Sequence, residues 1–145
     1  MEEEDLNLVF LNKIVKLCKM GMTSIEFVVE KMKKGTLKDI LNNQHSRYQV
    51  FLEDALNLFK KYNIEPEKFE IEEKMLIWPG VRFNNLTSTN DDYISDLILQ
   101  GYYVAASDIH KKMRLNMNLK PEVKQLLENF LTFIDVNIKE LRVFL

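Results

Sequence analysis

The chain has little of what usually staples or punctuates a small fold: one cysteine, three prolines and four glycines in 145 residues. A lone Cys18 makes neither an internal disulfide nor a cysteine zinc site, which excludes an oxidised scaffold and a zinc finger. So few glycines and prolines leave too few tight turns for a β-sandwich or barrel. Charge of one sign is also missing, since 20 basic residues face 22 acidic ones for a net charge of −2. No basic stripe suggests nucleic acid. No apolar run approaches the ~20 residues of a membrane span. The opening Met1-Glu2-Glu3-Glu4-Asp5 is acidic where a secretory leader is basic. A soluble, cytoplasmic chain is expected. Phosphate-binding glycine loops, a nucleophile elbow and a zinc-protease helix motif are all absent.

A composition of 46% hydrophobic and 29% charged residues is that of a globular domain with one core. Four segments repeat apolar residues at steps of three and four, the helix period. They predict helices over about 5–34, 36–62, 91–117 and 121–144. Cys18 falls on the stripe of the first, which reads it as a buried, inert thiol. Thr36 is the expected N-cap of the second, with Asp39 in its first turn. Gln44 interrupts that helix's apolar stripe, which runs on through Tyr48 and Phe51. The third helix carries a main stripe through Ile94, Leu97, Gly101 and Asp108. A second stripe passes through Leu99, Tyr102, Ala106 and Ile109. That doubled apolar surface predicts extra cover, either from the connecting segment or from a second copy in a homodimer. Pro121 opens the fourth helix, where its missing N–H is not needed, and Asn137 stands on that helix's stripe.

Very short connections join helices one and two and helices three and four, so each pair is expected to form an antiparallel hairpin. Residues 63–90 are long enough to cross the length of a bundle, with a possible short helix through Ile71 to Trp78. An all-α four-helix bundle of two antiparallel hairpins joined by one long crossover is the predicted fold. The up-down-up-down bundle is the other arrangement open to such a chain.

Three short segments carry a family resemblance: Met20-Gly21-Met22 with Ile25-Glu26, Ile98-Leu99-Gln100-Gly101, and Asn137-Ile138 with Glu140-Leu141. On these the chain resembles the ferritin-like superfamily, and within it small rubrerythrin-like bacterial proteins of unknown function. The resemblance covers both hairpins but not the crossover and implies a bundle, while the length of the chain makes residues 1–145 a single domain. The resemblance does not by itself imply iron chemistry. A di-iron bundle needs two lone glutamates and two Glu-x-x-His pairs pointing inward at one level. No Glu-x-x-His occurs: His45 is preceded at three residues by Asn42, and His110 by Ser107.

Folding the hairpins about Gly35 and Asn118 brings Glu26, Gln44, Arg47, Gln100, Asn137 and Glu140 to the level where the superfamily holds metal. Gln44-x-x-Arg47 and Asn137-x-x-Glu140 stand where the two Glu-x-x-His pairs are expected. Amides ligate iron poorly and arginine brings a fixed positive charge. The expectation is a hydrogen-bonded ion-pair layer, with Arg47 answering Glu26 or Glu140. His45, off the stripe centre, is expected to bond Glu26. Asp108 is expected to pair with Lys112, one turn on. The candidate binding set is therefore Glu26, Gln44, His45, Arg47, Gln100, Asn137 and Glu140, with no metal, cofactor or catalytic residue assigned. The reading is a non-catalytic interaction or small-ligand-binding protein. The alternative is an iron- or manganese-binding oxidoreductase with an irregular ligand set.

Overall fold

A computed structural model describes residues 5–69, 77–78, 81–82, 86–113 and 118–145. Four helices make up most of it: α1 (Leu6–Lys31), α2 (Thr36–Lys61), α3 (Asp91–Met113) and α4 (Pro121–Arg142). Between α2 and α3 lie two-residue strands, β1 (Ile77–Trp78) and β2 (Val81–Arg82). They pair antiparallel with Ile77 opposite Arg82. The short helix expected up to Trp78 therefore does not reach Ile77 and Trp78, and its remainder lies outside the described residues.

The helix ends follow from local chemistry. Asp5 caps α1, its side chain accepting from the Asn7 N–H at 2.9 Å. Helix α1 stops at Lys31, three residues earlier than expected, because Met32 turns extended at ψ 147°. Lys38 Nζ then donates to the Met32 carbonyl at 3.2 Å, satisfying an oxygen the helix leaves open. Thr36 does not cap α2. It is the first helical residue, and Gly35 occupies the cap position with no side-chain bond to offer. Pro121 opens α4 as expected. Helix α4 ends at Arg142, two residues short of the predicted boundary. Residues 114–117, the predicted end of the third helix, lie outside the described residues.

Contacts between helix ends fix the directions. The Lys120 N–H donates to Asn7 Oδ1 at 2.8 Å, so α1 and α4 start at the same end of the molecule. Lys61 and Tyr62, where α2 finishes, both bind Glu122 at the start of α4. Helices α2 and α4 thus run in opposite senses. Lys13 early in α1 pairs with Asp108 late in α3, which makes those two antiparallel as well. That pair corrects the expected Asp108–Lys112 contact, since a partner on a facing helix takes the carboxylate instead. At the other end a surface cleft brings Lys34 and Gly35 beside Asn90 and Asp91, so α2 and α3 begin together.

Each helix gives one face to a common core: Phe10, Ile14 and Ile25 from α1, Leu41 and Phe59 from α2, Ile94 from α3, and Phe130 and Phe133 from α4. The second stripe of α3 is covered too, with Leu99, Tyr102 and Ile109 all buried. The apolar character of that face therefore needs no second copy of the chain to bury it. No helix among the described residues is long and apolar enough to cross a membrane.

Candidate functional site

Gln44 and Asn137 stand on otherwise apolar stripes, and both are fully buried. Burying a carboxamide without partners costs several kcal/mol on the order of its lost hydration, so its partners define the site. Both amides meet the Tyr102 hydroxyl. Tyr102 donates to Gln44 Oε1 at 2.7 Å and accepts from Asn137 Nδ2 at 3.1 Å. One phenol oxygen thus ties α2, α3 and α4 together in the middle of the bundle.

Aromatic rings frame this oxygen. The Tyr48 ring stacks parallel to Tyr102 with centroids 6.2 Å apart and meets Phe133 edge-on at 4.9 Å. Gly21 makes room for Tyr48. A Cβ at that position would lie 2.6 Å from the Tyr48 hydroxyl oxygen, so only glycine lets α1 approach so closely. A cavity of about 10 Å³, lined by Gly21, Ser24, Tyr48 and Tyr102 among others, adjoins the stack. It has room for about one water molecule.

The groups that meet at the Tyr102 hydroxyl are neutral amides and phenols, with the charges of Glu140 and Arg47 close by. Burial pushes both phenols above the ordinary tyrosine value. At Tyr102, hydrogen bonding from Tyr48 and Asn137 pulls the other way, while Glu140 raises and Arg47 lowers the value as nearby charges. Both tyrosines hold their protons at neutral pH. Cys18 is buried and its thiol is pushed up by desolvation, so it offers no thiolate.

The predicted site residues divide. Gln44 and Asn137 come together, and Glu140 and Arg47 lie near enough to influence the same hydroxyl. Arg47 answers neither Glu26 nor Glu140, which corrects the expected ion-pair layer. Its guanidinium lies 4.9 Å from the centre of the Phe133 ring, a cation–π contact that keeps the charge at the edge of the core. Glu26 is exposed and meets His45 Nε2 at 2.9 Å, outside the layer. Gln100 turns to Asp96 at 3.1 Å on its own helix. Sequence reasoning missed Tyr102 and Tyr48 as members. The available signal was a tyrosine on each apolar stripe, since a buried phenol O–H needs a partner.

Among the described residues, four buried side-chain atoms are without a hydrogen-bond partner: Gln44 Nε2, Asn137 Oδ1, Glu140 Oε1 and Ser95 Oγ. Among the described residues no three His, Cys, Asp or Glu side chains come close enough to hold a metal ion. The layer offers amides, phenols and a single carboxylate, a donor set that does not fit a di-iron centre. What it can do is give and take hydrogen bonds. No protein-family model, curated protein or solved structure matches the chain.

Proposed function

We propose that this chain is a ferritin-like bundle whose metal layer is replaced by a neutral hydrogen-bonded one, and that it works without catalysis, as an interaction or small-ligand-binding protein. The single observation behind the reading is the Gln44–Tyr102–Asn137 arrangement at the level where a di-iron protein would need carboxylates and imidazoles. The helix directions support the frame, since α2 and α3 start at one end and a long connection separates them. The interaction half of the proposal is supported by exposed apolar side chains, with Val143 79% and Leu145 65% accessible. A homodimer is the partner proposed for that surface. A mass that rises with protein concentration is the expected result, and a constant monomer mass would remove this half.

Metal analysis tests the central statement. Protein expressed with iron and manganese supplied, and purified without chelators or a metal-affinity tag, is expected to carry almost none. Metal near the two atoms of a di-iron site would overturn the proposal.

A further inference from the structure

Beyond α2 the chain comes back onto α1. Asn63 takes the left-handed backbone conformation, φ 55°, just after the helix ends. The Glu67 N–H then donates to Asn12 Oδ1 at 2.9 Å. Lys16 Nζ stands 5.4 Å from the centre of the Phe69 ring, a cation–π contact. These contacts hold residues 67–69 against α1, and a cleft of about 250 Å³ lies where the two segments meet.

Charge and size together select a guest. Val9, Val15 and Phe69 give the cleft apolar surface, and Lys13, Lys16 and Lys68 bring ammonium groups to it. Asp108 holds the Lys13 ammonium, whose side chain is 19% exposed, so that charge is fixed in the wall with donors to spare. Glu67 is the one carboxylate among the described lining residues, so positive charge is in excess even with Asp108 counted. Because Asn12 Oδ1 is taken by the Glu67 N–H, that side chain offers the donor Nδ2. A cation is repelled by such a lining, and a neutral apolar molecule leaves its donors unused. A hole of about 150 Å³ holds benzene, and pockets for drug-sized molecules begin at about 300 Å³. The cleft lies between these sizes. We propose that it binds a small organic anion, an apolar body of about one ring carrying a single acidic group. The apolar body packs on Val9, Val15 and Phe69, while the acidic group accepts charge-assisted hydrogen bonds from Lys16 and Lys68.

The test is an NMR titration of the whole chain, followed at the Asn12 side-chain amide and the Val9 and Val15 methyls. Benzoate and phenyl phosphate carry ring and charge, benzyl alcohol the ring alone and inorganic phosphate the charge alone. Saturable shifts at these groups with benzoate or phenyl phosphate, and binding at least about tenfold weaker for the other two probes, support the inference. The tighter of the two ring anions then names the acidic group. Benzyl alcohol binding as tightly would make the cleft merely apolar, and inorganic phosphate binding as tightly would make it merely basic. Either result overturns the proposal, as does a titration that never saturates. Lys16→Met keeps the length of an exposed side chain and removes its charge, so binding is expected to weaken about tenfold. Lys16→Arg is expected to restore most of it. If Lys16→Met does not fold, Lys68→Met removes a second exposed charge with the same expectation. Unchanged affinity in a folded methionine variant would overturn the assignment. None of these outcomes bears on the metal analysis, because the cleft shares no residue with the Tyr102 layer.

Discussion

Tyr102 carries two of the hydrogen bonds that hold the core's amides, and removing its oxygen orphans both. An unpaired buried polar group costs about 1–3 kcal/mol. Tyr102→Phe is therefore expected to lower stability by at least about 2 kcal/mol in urea unfolding, with little change in volume. Tyr103→Phe supplies the contrast. Its exposed hydroxyl accepts from Arg142 at 3.1 Å, and its loss is expected to stay within about 0.5 kcal/mol. Arg47→Leu discriminates in the same way. A guanidinium resting on Phe133 contributes about 0.5–1 kcal/mol, whereas breaking a buried ion pair costs about 3–5. A loss of about 1 kcal/mol or less is expected on thermal melting. At this scale the sequence was half legible. A carboxamide on an apolar stripe announces its own burial, as Gln44 and Asn137 did. A tyrosine on the same kind of stripe is indistinguishable from any core aromatic until its partner, 58 residues away at Gln44, is known.

Between elements, α1 passes close against Tyr48 of α2 at Gly21. A methyl there would lie 2.6 Å from the Tyr48 hydroxyl oxygen and 2.7 Å from Cε2. Gly21→Ala gains about 1 kcal/mol of helix propensity. Against that stands a rigid ring in a packed core, where overpacking costs about 1–3 kcal/mol. Net destabilisation is expected, accompanied by a changed near-ultraviolet circular dichroism signal from the displaced tyrosine. A variant more stable than the parent would show that Tyr48 has room to move. Helix spans were readable from periodicity because burial repeats with the turn. Ends were less so, since they depend on single bonds such as that from Lys38 to the Met32 carbonyl, which no periodic pattern encodes.

For the whole molecule, the ends are tied by polar contacts that join distant parts of the chain. Glu122 accepts from both Lys61 and Tyr62, and these bonds hold its carboxyl below the ordinary value of 4.5. The sign follows from linkage. A carboxyl with a depressed folded value adds stability above its unfolded value and loses it as pH falls through the folded one. Acid melts are therefore expected to show a fall in stability below about pH 4.5 that is shallower in Glu122→Gln. The side chain is exposed, so the difference is a slope and not a collapse. Such pairings were not legible beforehand. Asp108 was assigned to a neighbour on its own helix, and only the folded chain brings Lys13 across to it.

The shared hydroxyl also has a consequence for how this sequence can change with time. Gln44 and Asn137 each bond the one Tyr102 hydroxyl, so replacing any of the three with an apolar residue breaks at least one of these bonds, while replacing all three together leaves no amide there to be bonded. Single steps away from the present layer run uphill and the triple step does not. Positions 44, 102 and 137 are therefore bound to drift as one unit, exchanged together or kept together across any lineage that inherits this bundle.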